Sequence, residues 1–274
     1  GALQAFAPSQ PEYATLRISD NGSVVLEEGD TDAGEGCDAF AYLVPDFANP
    51  TGETLGEVER RGILALAAER GMPVIEDSPY EMLRFDGISE LPMQALDAED
   101  SGGIDASRVV YCGSFSKVFT PGLRVGWVCA SREIISRLTL IKQSSDLNSP
   151  AINQRVMLHL ARTSYDEQVE RARSIYREKR DAMLSLLGNV LPAGSRWTRP
   201  DGGMFIWVKL PSEIDTRELL ATAGRDYGVA FVPGRAFHAD GGGVNMLRLS
   251  YTLPTVDQIE VGLQRLGQAI SAAS

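Results

Sequence analysis

The sequence predicts an α/β protein: a mostly parallel sheet with helices on both faces, followed by a smaller α+β part. Three observations lead there. Short apolar runs alternate with helical patterns through the first 164 residues. Strand, helix and strand recur at the spacing of right-handed βαβ units. Beyond residue 165 a long amphipathic stretch leads into strands mixed with helices.

Each element follows from its residues. Residues 40–44 form a buried-strand pattern, and residues 45–52 a loop. Thr54 and Glu57 have capping-box spacing, so a helix is expected from there to Gly71. Residues 73–76, 109–112 and 125–130 read as further strands. The Gly- and acid-rich residues 20–38 read as an exposed turn or hairpin, and residues 97–107 as a loop. Ser164 and Glu167 suggest a second capping box, opening a helix to about Gly188 with Val169, Ala172, Tyr176, Met183 and Leu187 on one side. Strands at 204–208, 229–232 and 246–250, a helix at 216–227 and a last helix carrying Val256, Ile259, Leu263, Leu266 and Ile270 complete the chain. The expected domains are residues 1–164 and 165–274.

The 274 residues carry 37 acids and 26 bases, a formal charge of −11. Nucleic acid and anionic membranes repel such a chain, although a local basic pocket for a small anion remains open to it. No apolar run approaches the roughly 18 residues of a membrane span. Three cysteines without metal-type spacing indicate a reducing compartment, with Cys112 and Cys129 expected as buried thiols.

Four segments carry chemistry. Gly113-Ser114-Phe115-Ser116-Lys117 follows a strand, where open α/β sheets bind ligands. With Arg124 it makes a phosphate cup, or else a Ser-rich turn with a solvated lysine. Asp77 ends an apolar strand, as a helix N-cap or as the partner of a positive charge, with Tyr80 three residues on. Asn49-Pro50-Thr51-Gly52 marks a strand-to-helix turn. Arg248 interrupts an apolar strand, either paired at the surface or as a fork for a carboxylate. His159, in a helical pattern, and His238, in a polar loop, are expected to be non-catalytic.

The joint order of these residues resembles the fold-type I, pyridoxal-phosphate-dependent aminotransferases of class I/II, and within them the 2-aminoadipate and kynurenine-type branch. The resemblance is carried by residues 45–52, 76–80, 113–117 with 121–127, 200–207, 231–234 and 247–250, and spans residues 1 to about 270. It implies pyridoxal 5′-phosphate as cofactor. Lys117 would form the internal Schiff base and shuttle the substrate proton, and Asp77 would pair with the pyridinium nitrogen. Asn49 and Tyr80 would bond the phenolic oxygen, Ser114, Ser116 and Arg124 would hold the phosphate, and Arg248 would clamp the substrate carboxylate. Gly202 and Gly203 would be backbone devices beside the site.

The reaction so implied is ping-pong transamination between an amino acid and a 2-oxo acid, 2-oxoglutarate first among them, by a cytoplasmic homodimer. The resemblance also places Gly1 just after the aromatic residue that stacks on the cofactor. The 274 residues are then expected to be a fragment or the ordered part of a longer chain, binding cofactor weakly and turning over little on their own. Three other readings are open: the cofactor-binding effector domain of a transcription regulator, another fold-type I enzyme such as a β-lyase or decarboxylase, and an α/β domain that has lost its cofactor chemistry. Arg248 with Asn49 suits a carboxylate retained through the reaction, which favours transamination.

Overall fold

The computed structural model describes residues 2–19, 24–27 and 39–273. A short helix α1 (Ala2–Phe6) precedes strands β1 (Thr15–Ile18) and β2 (Val24–Glu27), which pair antiparallel with Thr15 opposite Glu27. Of the turn or hairpin expected over 20–38, the described residues hold β2 alone, paired with β1. The other residues of that stretch, 20–23 and 28–38 with Cys37, lie outside the described residues.

Then come β3 (Ala41–Leu43), α2 (Glu57–Glu69), β4 (Val74–Ser78), α3 (Met93–Ser101) and β5 (Val109–Ser114), in βαβαβ order. The three strands run parallel, with Ala41 opposite Val74 and Val74 opposite Val109. These three residues face α2 and α3, where Ile63, Leu64, Ala67, Met93 and Leu96 complete a buried core. Burying one such leucine removes enough apolar surface to contribute about 1.5–3 kcal/mol. Strand β6 (Gly126–Cys129) lies antiparallel to β5, Ser114 opposite Gly126. The connection over 115–125 holds only a 3₁₀ turn at Pro121–Leu123, too short for the crossover a parallel strand needs. The sheet, in order β3-β4-β5-β6, is mixed and mostly parallel.

Two amphipathic helices, α4 (Arg132–Ser145) and α5 (Ala151–Thr163), then lead to the long α6 (Tyr165–Val190). A second sheet, antiparallel throughout and ordered β7-β8-β10-β9, is built from β7 (Arg196–Trp197), β8 (Phe205–Lys209), β9 (Val232–Pro233) and β10 (Met246–Ser250). Helices α6 and α7 (Thr216–Asp226) both pack against α8 (Val256–Ala273). Leu187, Ile206, Val208, Leu247, Leu263 and Leu266 are fully buried in a core that also takes in Phe47, Tyr80 and Leu83 from the first sheet's loops.

Several expectations are corrected. The helix after the first loop begins at Glu57, with Gly56 as N-cap, and the Gly56 N–H is satisfied by the Glu59 carboxylate. Thr54 Oγ1 instead accepts the N–H of Phe47 at 3.2 Å, closing the preceding loop. Ser164 does not cap α6 with its side chain; its hydroxyl donates back to Leu160 O of α5 at 3.2 Å. Residues 97–101 are helical because α3 buries Met93 and Leu96 and its first N–H groups, on Met93 and Gln94, meet the Glu76 carboxylate at 2.9 and 2.8 Å. Gly102, at φ +88°, ends that helix. Strand β9 starts later than residue 229. Cys112 and Cys129 are half-buried, since the sheet face bearing Cys112 is only partly covered.

Helix α7 offers a clean test of capping. Asp215 Oδ1 accepts the N–H groups of Arg217 and Glu218 at 2.8 and 3.4 Å. The Arg217 N–H, first among several causes, holds its carboxyl below the ordinary range. Asp215→Ala is expected to cost about 1 kcal/mol in urea unfolding at neutral pH. The stabilisation is complete above the ordinary aspartate pKa near 4 and is lost as pH falls through the lowered one. The difference between the two proteins should therefore shrink in acid.

Candidate active site

Alternation along a strand sends every second side chain to one face. Parallel pairing puts Tyr42, Ile75, Asp77, Val110, Cys112 and Ser114 on the face away from α2 and α3. Asp77 is next to last in β4, opposite Cys112, and Ser114 ends β5. Both stand at the carboxyl edge of the sheet.

The turn after β5 is held by its backbone. Phe115 N–H bonds to Val125 O at 3.2 Å, and Phe119 N–H to Phe115 O at 2.9 Å. The Ser116 N–H donates to Ser114 Oγ at 3.1 Å. Arg124 takes φ +53°, a left-handed conformation unusual for a side chain of this size. Its Nη1 reaches Ser116 Oγ at 3.4 Å and Pro121 O at 3.2 Å. Two hydroxyls and a guanidinium thus converge beside Lys117, whose ammonium has no hydrogen-bond or ion-pair partner among the described residues.

A buried ion network anchors the loop of residues 45–52. Asp46 Oδ1 takes Nη2 of the wholly buried Arg60 at 2.9 Å and Nη2 of Arg84 at 3.5 Å. Phe47, at φ +49° and fully buried, packs under Gly202 and Gly203. A β-carbon on Gly202 would sit 2.3 Å from Leu83 O and 2.5 Å from the Phe47 ring, so only glycine fits. Thus fixed, the loop presents Asn49, whose Oδ1 accepts a hydrogen bond from Arg248 Nη1 at 2.5 Å.

Arg248 stands in β10 opposite Trp207 and Val232. Its guanidinium lies over the rings of Phe205, 4.0 Å from the centroid, and Phe237, 5.1 Å away. Its Nε is buried without a partner. Burial lowers its pKa and the nearby Tyr80 raises it. A half-buried cation with an unused, buried donor suits an incoming anion. Tyr80 is itself buried, edge-on to Phe205 at 5.9 Å; burial raises its pKa first, and the Asp77 charge second.

The predicted residues fall into three groups: Asn49 with Arg248; Tyr80, which feels the charges of both Asp77 and Arg248; and Ser114, Ser116 and Arg124, next to Lys117 in the chain. Among the described residues no hydrogen bond or ion pair joins Lys117 to Asp77 or Asn49. Sequence reasoning missed Tyr42, Phe205 and Phe237. Among the described residues no cluster of side chains could hold a metal ion, and no helix is long and apolar enough to cross a membrane.

A basic cup, a half-buried lysine and a carboxylate at one sheet edge, with a half-buried arginine from a second sheet, suit a small anionic ligand on an α/β scaffold. The profile of the family described as aminotransferase class I and II matches residues 43–266. The chain belongs to that family. It is 40% identical to the 2-aminoadipate transaminase of Thermus thermophilus, over 98% of this chain and 66% of that protein. The solved α-aminoadipate aminotransferase from the same organism, complexed with N-(5′-phosphopyridoxyl)-L-leucine, superposes with a TM-score of 0.80 at 41% identity, over 85% of this chain and 59% of that one. An uncharacterized HTH-type transcriptional regulator, YdfD of Bacillus subtilis, is 32% identical over 92% of this chain and 50% of that protein. The chain therefore spans less than two thirds of the length of these relatives.

Proposed function

We propose that this chain holds pyridoxal 5′-phosphate and serves transamination between an amino acid and a 2-oxo acid, 2-oxoglutarate among them, as part of a cytoplasmic homodimer. The observation that carries the reading is the half-buried Arg248, tied to Asn49 on one side and left with a buried, unpartnered Nε on the other. That orphaned donor fits a substrate carboxylate. The donor set at the sheet edge fits the cofactor: Ser114, Ser116 and Arg124 for a phosphate, Asp77 for a protonated ring nitrogen, and Lys117 for the aldehyde carbon.

When bound, pyridoxal phosphate supplies a sink for the electron pair left as the substrate loses its Cα proton. The protein does the rest. Arg248 fixes the carboxylate and so orients the Cα–H bond. Lys117, free of other partners, would take the proton from Cα and give it up at the cofactor's aldehyde carbon, so that the amino group changes hands. Asp77 holds a proton on the ring nitrogen by its charge. Tyr80, kept un-ionised by burial, offers a fixed phenol donor beside it.

Borohydride reduction in the presence of pyridoxal phosphate, followed by peptide mapping, tests the reading. Label on Lys117 is expected; label elsewhere, or none, overturns it. A panel of amino donors with 2-oxoglutarate then separates an enzyme from an effector-binding domain, which the likeness to a transcription regulator keeps as a second reading. That reading expects a labelled Lys117 and no turnover of any donor. Arg248→Lys gives a further expected result: loss of the fork, with two or more charge-assisted bonds weakened, raises KM for the amino donor about 10- to 100-fold. Steady-state kinetics at fixed 2-oxo acid measures it.

A further inference from the structure

Asp77 is served by one hydrogen-bond donor among the described residues. Tyr42 Oη donates to its Oδ2 at 2.5 Å. The register explains the contact: Tyr42 of β3 lies opposite Ile75 of β4, so Asp77, two residues on, presents its side chain to the same face as a diagonal neighbour. Tyr42 is braced from the other side by Phe6, edge-on at 5.6 Å, and Phe6 in turn by Phe40 at 5.4 Å. The groups facing Asp77 are Tyr42 from β3, Cys112 from β5 and Tyr80 from the loop after β4. No cation pairs with it among the described residues.

We propose that Tyr42 is a positioning residue for Asp77: its phenol engages one carboxylate oxygen, keeps the group ionised, and leaves the other oxygen to meet the ring nitrogen of the cofactor. The proposal rests on the cofactor reading above. A hydrogen bond given to the charged form of a carboxyl favours that form. Burial, and then the bond to Asp77, push the Tyr42 hydroxyl far above its ordinary range, so the phenol stays a donor throughout the working pH range.

The test follows the Asp77 side-chain carboxyl by carbon-detected NMR across pH, in cofactor-free protein, for the parent and Tyr42→Phe. Phenylalanine keeps the ring against Phe6 and removes only the hydroxyl. The carboxyl is expected to titrate about one unit higher, a tenfold change in its proton affinity. Incorporation of 3,5-difluorotyrosine at position 42, a stronger donor of the same shape, is expected to move it the other way. Titration with pyridoxal phosphate on the same samples, followed by fluorescence, is expected to show several-fold weaker binding by Tyr42→Phe. An Asp77 that titrates alike in all three proteins, with the cofactor bound equally, overturns the proposal while the cofactor reading stands. A parent protein that takes up no pyridoxal phosphate overturns that reading, and with it the role given to Tyr42; the Asp77 titration would then report only a structural bond.

Discussion

Lys117→Ala is expected to leave a protein that folds like the parent and transaminates about 1,000-fold more slowly or worse. The expectation has two sources. A positioned general acid–base contributes on the order of 10²–10⁴ in rate. The amine is also the group at the sheet edge, among the described residues, that can form an imine with an aldehyde, so the covalent route is lost as well. Folding should hardly respond, because Lys117 makes no hydrogen bond or ion pair among the described residues, and substitutions away from such contacts stay within about 0.5 kcal/mol. Lys117→Arg should be just as slow, since it restores charge without a nucleophile. Single-turnover kinetics with partial rescue by a small added amine would place the defect on proton transfer. Full activity in either variant would remove Lys117 from the chemistry.

The second large effect concerns stability. Arg60 is wholly buried and spends every arm of its guanidinium: Nε on Leu55 O at 2.8 Å, Nη1 on Leu91 O at 3.0 Å, Nη2 on Asp46 at 2.9 Å. Glu76, also fully buried, lies 4.0 Å from Nη1. Burial raises the pKa of Glu76, while the N–H groups of Gln94 and Met93 and the charge of Arg60 pull it down. Arg60→Ala strands two buried carboxylates and a cavity together. Breaking one partner of a buried pair costs about 3–5 kcal/mol, a large share of the roughly 5–15 kcal/mol that holds an ordinary domain together. Chemical denaturation should show that loss. Asp46→Asn combined with Arg60→Ala should cost clearly less than the sum of the two single changes, because the second removes a charge the first has left unpaired. Strict additivity would mean the two side chains do not act as a pair.

The parallel strands were legible because Val74, Val109 and Ala41 stand in short apolar runs between turn residues, and Asp77 and Ser114 stand out as polar residues at their ends. The capping boxes were less legible. Thr54 had a competing partner in the Phe47 N–H, which no local spacing reveals, and Ser164 sits where one helix has just ended, so its hydroxyl turns back. Helices α4 and α5 bury almost nothing, only Met157 between them, so their apolar residues mark no core stripe. Tyr42 shows the limit most clearly. Its alternation with Leu43 says which face it takes, but only the parallel register says which residue of the next strand it meets. The guanidinium stacking of Arg248 depends likewise on β8 and on the turn at Gly234–Phe237, brought together by tertiary structure.

The bond between Asn49 and Arg248 spans 199 positions of sequence. Closing a loop of that length is entropically late work for a folding chain. The Asn49–Arg248 pair needs both sheets docked, so half-folded chains are expected to lack it. A dicarboxylate seated there acts as a staple across the two sheets: it is expected to raise the melting temperature and to slow amide exchange in β10 and in residues 45–52 together, since what binds the completed form draws the ensemble toward it.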